Sequence, residues 1–362
     1  MSTPTEAAES ARPVPMLEAL AGVLVGTAVG DALGLPMEGL SARRQAKLFP
    51  PPLRHRFLGR RGMISDDTEH TLMVGQALLE SSHDLAQFER ALARRLRWWL
   101  ASLPAGVGFA TLRAILRLWS GTPPRQSGVW SAGNGPAMRS AVLGVFFVDD
   151  AVARGLFVQA ATEITHRDPR ALIAALAVAE TAAWMAETRD DIDPLLDTLE
   201  GLGSHAEWPP IVARLRAALE LNEPVLAFAR ELGATKGVSG YAFQSVPVAI
   251  YAALRHRGDY ATAVGEVIAC GGDTDTTGAI TGALVGARVG TNGIPRDWRD
   301  GVADYPRSLD LLEQIAAQLE RQRETAHALG CVRYLWPAVV LRNLVFLCVV
   351  LAHGLRRALP PY

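Results

Sequence analysis

An all-α protein in one compact domain is the fold this sequence predicts, and three observations carry the prediction. Apolar residues recur at three- and four-residue spacing in segment after segment from Met16 onward, the pattern of helices with one buried face. No run alternates apolar and polar residues well enough to read as a strand, and alanine is abundant. The periodic segments are separated by Pro/Gly clusters such as "FPPPLRHRFLGRRG", "SGTPPRQSG" and "GTNGIPRDW", which stop helices and turn the chain.

Taken in order, "MLEALAGVLVGTAVGDALG" opens the domain as a helix of short, apolar side chains. "DTEHTLMVGQALLESS", "DLAQFERALARRLRWWLAS" and "FATLRAILRLWSG" follow as amphipathic helices. "GNGPAMRSAVLGVFF", "DDAVARGLFVQAATEITH" and "DPRALIAALAVAETAAWMAE" continue the pattern. "EWPPIVARLRAALEL", "YAFQSVPVAIYAALRH", "DYATAVGEVIACGG" and "SLDLLEQIAAQLERQRETAHAL" complete it, with a helix starting near Thr274 between the last two. The tail "LWPAVVLRNLVFLCVVLAHGLRRALPPY" is apolar from Leu335 to Ala352 except for Arg342 and Asn343. Its length allows a membrane span, but a mid-span arginine costs about 2.5–3.5 kcal/mol. The expectation is a helix packed on the body or at a dimer surface, with a membrane-associated tail as the alternative.

The chain's 362 residues suffice for one large domain or two ordinary ones. With 49% hydrophobic and 20% charged residues it reads as a soluble globular protein with a large core. A formal net charge of -1 provides no global field for nucleic acid or an anionic membrane, which leaves only a local patch for such a role. Cys270, Cys331 and Cys348 show no CxxC pairing and suit buried thiols in a reducing compartment better than a disulfide framework. The polar, Pro- and Ala-rich start lacks the basic and apolar regions of a signal peptide. The expected organisation is a disordered leader over 1–14, a main helical domain over 15–325 and an apolar helical extension over 326–362, in a cytoplasmic protein.

Two segments concentrate acids and hydroxyls. "MISDDTEHTLMVG" carries Ser65, Asp66, Asp67 and Thr68, and "GGDTDTTG" carries Asp273, Thr274, Asp275, Thr276 and Thr277. Helix capping accounts for each in isolation: Ser65 suits an N-cap, Asp66 and Glu69 have capping-box spacing, and Asp273 or Thr274 suits the later helix start. Capping explains the pair less well, because one cap oxygen suffices and adjacent carboxylates repel. Carboxylates with neighbouring hydroxyls form a hard-oxygen set suited to Mg²⁺, Mn²⁺ or Ca²⁺, and no Cys/His cluster has zinc spacing. If the segments meet in space, the set is large enough for two divalent ions.

Glycines at every fourth position suggest how the neighbouring helices pack. They are Gly22, Gly26, Gly30 and Gly34 in the first helix, and Gly278, Gly282, Gly286 and Gly290 in the later one. Each costs about 0.8–1 kcal/mol against alanine inside a helix, which makes sense where another helix backbone packs tightly. Both helices are therefore expected at the centre of the core.

These stretches together make the sequence resemble the ADP-ribosylglycohydrolase family. The matching segments are "GTAVGDALGLPMEG", "SDDTEHTL", "SAGNGPAMRSAVLG", "THRDP", "GYAFQSVPVAI" and "GGDTDTTGAITGALVGA", in family order from about residue 20 to residue 290. The resemblance implies an all-α fold with a binuclear Mg²⁺ or Mn²⁺ site at the base of a cleft. The implied metal ligands are Ser65, Asp66, Asp67, Asp273, Asp275 and Thr276, with serine at 65 where many members have threonine. Asp31 and Glu38 match an acidic segment beside the site, where a loop glutamate is implicated in some members. Gly133, Asn134 and Gly135 match a loop approaching ADP-ribose, His166 matches a position near the ligand, and Tyr241 lies where an aromatic can face the adenosine.

From the residues alone, "GNG" reads as a turn and helix start, and His166 as a helix C-cap contact. Tyr241 reads as an ordinary core or surface aromatic, and Glu38 as a solvated loop acid. The activity implied by the resemblance is metal-dependent cleavage of ADP-ribose from a modified side chain, above all arginine, with Asp67 or Glu38 as acid or base. The partner is then an ADP-ribosylated protein or a small ADP-ribose conjugate. The alternatives are another linkage, to serine, nucleic acid or a small molecule, or a catalytically silent relative.

Overall fold

The computed structural model describes residues 14–325, 327–328, 330 and 332–360, so residues 1–13 of the expected leader, and Cys331, lie outside the described residues. Helix follows helix. The first part of the chain runs α1 (Met16–Gly34), α2 (Ala42–Leu48), α3 (Asp66–Glu80), α4 (Leu85–Ala101), α5 (Phe109–Trp119) and α6 (Pro124–Ser127). It continues through α7 (Ala141–Phe146), α8 (Ala151–Glu163), α9 (Pro169–Ala186), α10 (Asp193–Glu200), α11 (Trp208–Glu220) and α12 (Val225–Glu231). The last part comprises α13 (Ala242–Arg255), α14 (Tyr260–Ala269), α15 (Thr274–Val289), α16 (Arg296–Gly301), α17 (Leu309–Thr325) and α18 (Trp336–Arg357). Among the described residues, sheet is confined to β1 (Leu40–Ser41) and β2 (Gly271–Gly272), paired antiparallel with Leu40 opposite Gly272.

The fold is all-α, as the periodicity predicts. Short helices such as α2 and α12 lack a full amphipathic repeat, so periodicity alone does not mark them, whereas α10 does bury Leu195, Leu196 and Leu199 on one face. "GNGPAMRSAVLGVFF", read as one helix, splits into a 3-10 turn at Ala137–Arg139 and the separate helix α7. There the Ser140 hydroxyl donates to the Pro136 carbonyl at 2.8 Å, drawing the backbone out of regular α geometry.

The glycine spacing has its explanation in the pair α1 and α15, which lie antiparallel and backbone to backbone. A β-carbon at Gly22, Gly26, Gly30 or Gly34 would fall 2.0–2.2 Å from the carbonyl oxygens of Gly286, Gly282, Gly278 and Thr274 respectively. No side chain fits there, so the small residues permit an approach that returns dispersion contact along both helices. Gly290 lies on this crossing too, its Cα 3.1 Å from where a β-carbon at Gly22 would stand, and it also ends α15 as its C-cap at a φ of 65°. Both helices are buried over nearly their whole length and contribute to the main core, which draws side chains from most of the other helices.

The apolar tail forms α18, and its two polar residues hold it to the body. Asn343 donates to the Ser102 carbonyl at 2.8 Å, and Arg342 Nη2 donates to Asp304 Oδ2 at 2.6 Å. Glu69 of α3 receives both Arg342 and Arg307, so the mid-helix arginine completes a buried network behind the acidic helix start. Removing one partner from such a network leaves an uncompensated charge. Arg342→Ala is therefore expected to cost about 3–5 kcal/mol, read as a lowered urea midpoint.

Candidate functional site

Two helix starts and one helix end converge on a single acidic cluster. Ser65 is the N-cap of α3, and its hydroxyl accepts from the Asp67 N–H at 3.2 Å. Asp66 and Asp67 form the first turn behind it. Asp31, in the last turn of α1, also caps this helix from a distance. Its Oδ2 accepts from the Ser65 N–H at 2.8 Å, the Thr68 N–H at 3.3 Å and the Thr68 hydroxyl at 2.5 Å.

At α15 the capping account fails at the residue where it was simplest. Asp273 occupies the N-cap position, yet its side chain makes no cap hydrogen bond. Its Oδ2 instead accepts from Asn134 Nδ2 at 2.7 Å. Asp275 is buried in the first turn, and the Thr276 hydroxyl donates across to Asp67 Oδ2 at 3.3 Å. The two motifs, some two hundred residues apart in sequence, therefore touch. The glycine crossing sets their register: the Thr274 hydroxyl donates to the Gly34 carbonyl at 2.8 Å, one turn beyond Asp31.

The carboxyls repel one another strongly. Asp31 is pushed up to about 7 by burial, against the lowering effect of its bonds from Thr68 and Ser65. Asp66 and Asp67 are raised well above the carboxylate range by burial and by nearby acids, with Asp31 the largest of these. Asp275 is raised in the same way by burial, then by Glu38, Asp273, Asp67 and Asp31. Glu38, on the exposed turn after Met37, is raised by desolvation and by Asp273. The α-helical N-termini of α3 and α15 bring positive dipole ends to the cluster but cannot neutralise six acids.

Three carboxylate oxygens of this set, Asp31 Oδ1, Asp67 Oδ1 and Asp275 Oδ1, are buried with no hydrogen-bond partner. Orphaned, like-charged hard oxygens are the donor chemistry of a divalent cation site. Among the described residues no three His, Cys, Asp or Glu side chains already surround one point as ligands. The Ser65 and Thr276 hydroxyls likewise turn toward Asp67 Oδ2. Binding an ion would require these hydroxyls, and the carboxylates around them, to turn toward a common point.

The remaining expected residues form one wall beside the acids. Gly133 bridges to Tyr241, and the Asn134 N–H donates to the Gly240 carbonyl at 3.0 Å, so the "GNG" loop is stitched to the start of α13. Asn134 joins that loop to the cluster through Asp273 and through the Ser245 hydroxyl at 3.1 Å. His166 does close the end of α8, its N–H donating to the Thr162 carbonyl at 2.8 Å, but its side chain has a second role. Its buried ring lies against Gly133 and Gly135, where a β-carbon would come within 3.2–3.3 Å of it. Burial and then Arg139 pull His166 down to about 3, so the ring is neutral and acts as a spacer under the loop. Tyr241 is half-buried, with its hydroxyl donating to Glu207 at 3.0 Å and the Arg170 guanidinium over its ring.

Some neighbours carry no sequence signal. Glu69 does not complete a capping box with Asp66; its carboxylate is taken by Trp99 and Arg307. Arg139 is fully buried, donates to Ala161 O at 2.8 Å and Thr165 Oγ1 at 2.6 Å, and feels Asp66. Arg357 arrives from the far end of α18, donates to the Pro36 carbonyl at 2.9 Å and interacts electrostatically with Glu38 and Asp275. Only long-range folding brings these groups to the acids.

Known proteins resemble this chain over most of its length. The ADP-ribosylglycohydrolase family model matches residues 13–328. The chain is 27% identical to ADP-ribosylhydrolase ARH3 of Danio rerio, over 85% of this chain and 93% of that protein. It is 25% identical to the ADP-ribosyl-[dinitrogen reductase] glycohydrolase of Rhodospirillum rubrum, over 82% of this chain and 94% of that protein. A solved structure described as an ADP-ribosylglycohydrolase-related protein complex superposes with a TM-score of 0.64 at 27% identity, covering 85% of this chain and 99% of its own. On the match over nearly all of the body, the chain belongs to the ADP-ribosylglycohydrolase family and is a glycohydrolase.

Proposed function

We propose that the protein is a divalent-metal-dependent hydrolase that releases ADP-ribose from arginine side chains, using two Mg²⁺ or Mn²⁺ ions. The observation that carries this reading is the convergence of Asp31, Glu38, Asp66, Asp67, Asp273 and Asp275 with three buried carboxylate oxygens left unpartnered. Asp66, Asp67, Asp273 and Asp275 would hold the ions, with the Ser65 and Thr276 hydroxyls. When bound, the ions supply positive charge that orients the ribose hydroxyls and acidifies a water.

The chain's own residues do the rest. Asn134 is tied to Asp273, so the glycine loop that would approach the diphosphate is positioned by the same residue that serves the acids. Backbone N–H groups there suit an anionic ligand. Cleavage at the anomeric carbon passes through an oxocarbenium-like state and needs one group to move a proton. Glu38 fits that task better than Asp67, because it stands at the exposed rim with its proton affinity already raised. Asp67 is enclosed and accepts from Ser65 and Thr276.

The linkage is tested by presenting arginine-, serine- and nucleic acid-linked ADP-ribose, each with Mg²⁺ and with EDTA. Release from the arginine conjugate alone, lost in EDTA, is the expected result. Preferential release from another conjugate would overturn the arginine assignment, and no release from any would overturn the catalytic reading. Metal binding has an independent readout. An ion present at a hundredfold excess over its dissociation constant adds about 2.7 kcal/mol to the folded state. Mg²⁺ or Mn²⁺ is therefore expected to raise the melting temperature of chelator-treated protein, an effect that calorimetry resolves.

A further inference from the structure

The family match ends at residue 328, and α18 lies wholly beyond it. One face of α18 is committed to the body through Val339, Arg342, Asn343 and Phe346. The opposite face is apolar and uncovered: Leu341, Leu344, Leu351 and Leu355 are 49–72% exposed. Between Trp336 and Leu355 the only ionisable side chains besides the thiol of Cys348 are Arg342, turned inward, and His353, which stacks on Phe57 with ring centroids 5.1 Å apart. The result is a strip about 30 Å long, at 1.5 Å per helical residue, with no outward charge.

The ends of this strip are basic. Beside its C-terminal half runs the segment 42–62, which holds seven Lys/Arg residues and no Asp or Glu. It is fixed there by Phe57, whose ring meets both Phe346 and His353, and by Arg44, which donates to the Arg357 carbonyl. Arg54, Arg60 and Arg356 are exposed, and Leu58 extends the apolar wall alongside Leu344 and Cys348. At the other end Trp336 packs edge-on against the exposed Trp98, centroids 5.6 Å apart, with Arg97 and Arg333 exposed nearby. Leucines in the middle, tryptophans at one margin and cations at both ends match the layered chemistry of a lipid interface.

We propose that this face docks the protein peripherally on an anionic phospholipid surface. α18 lies in the interfacial plane, its leucines reach the acyl boundary, and the cations of both ends meet headgroup phosphates. The buried Arg342 network keeps the helix on the body, so it lies on the membrane rather than crossing it. Charge decides against a second copy of the chain as the occupant. Two-fold pairing, parallel or antiparallel, would oppose basic ends to basic ends, whereas anionic headgroups complement both.

The test is co-sedimentation of the full chain with phosphatidylcholine vesicles, with and without a third of phosphatidylglycerol. The expected result is at least tenfold more bound protein on the anionic vesicles, declining with added salt. Joint substitution Leu344→Glu and Leu351→Glu removes that binding while leaving the melting temperature and the release of ADP-ribose unchanged. Arg54→Glu with Arg60→Glu removes it as well. In the unmodified protein, brominated phosphatidylglycerol quenches tryptophan fluorescence, a readout that does not depend on any variant folding. Equal partition to both vesicle types, unaltered binding by the leucine variant, or absence of quenching would overturn the proposal. So would a dimer in sedimentation equilibrium that the leucine variant splits, in a protein that ignores vesicles.

Discussion

Asp275→Ala is expected to lower the rate of ADP-ribose release by about 10³-fold or more and to weaken Mn²⁺ binding, with Asp273→Ala behaving alike. The ions are credited with several kcal/mol of transition-state stabilisation, and each 1.36 kcal/mol is tenfold in rate. The same substitution carries a second, opposite signature. Asp275 is buried among Glu38, Asp273, Asp67 and Asp31, and its Oδ1 has no partner. Removing it relieves repulsion and an unsatisfied group, so chelator-treated Asp275→Ala should melt higher than chelator-treated wild type. A structural acid would show a lower melting temperature. Thermal melts with EDTA, set beside activity with Mg²⁺, read both signs at once.

Gly26→Val is expected to destabilise the fold by about 3 kcal/mol or more, the upper range for forcing extra carbons into a packed core. The added β-carbon would stand 2.2 Å from the Gly282 carbonyl oxygen, and backbone at that point cannot turn aside as a side chain would. Gly282→Val is the mirror case, with a β-carbon 2.3 Å from the Gly26 carbonyl oxygen. The consequence reaches the site, because the Thr274–Gly34 hydrogen bond holds the end of α1 against the start of α15. Spreading the two helices separates Asp31 from Asp275, so any folded fraction should also bind Mn²⁺ less tightly. Urea unfolding and Mn²⁺ titration on the purified variant check the two effects.

Both features are legible in outline in the sequence. A glycine at every fourth residue has no local benefit in a helix, so its repetition in two segments marked two surfaces that must meet a backbone closely. Adjacent acids at Asp66–Asp67 and Asp273–Asp275 likewise exceeded what one helix cap needs. What local pattern does not encode is which distant group answers which. Asp31 caps α3 from thirty-four residues away, Asn134 rather than a cap amide takes Asp273, and Glu69 turns from Asp66 to Arg307. Gly290 shares the stripe's spacing and lies past the last turn, where positive φ favours glycine for a second reason. Arg357 was legible only as the end of an apolar helix, because its approach to Glu38 depends on how α18 crosses the body.

On the proposed function, the acid cluster works only when it holds divalent ions. The most direct measurement follows ADP-ribose release from an arginine conjugate by chelator-stripped protein as Mg²⁺ is restored. No release is expected without the ion, and recovery should saturate with Mg²⁺ in wild type but not in Asp275→Ala. Full release by stripped protein in excess EDTA would contradict the proposed function.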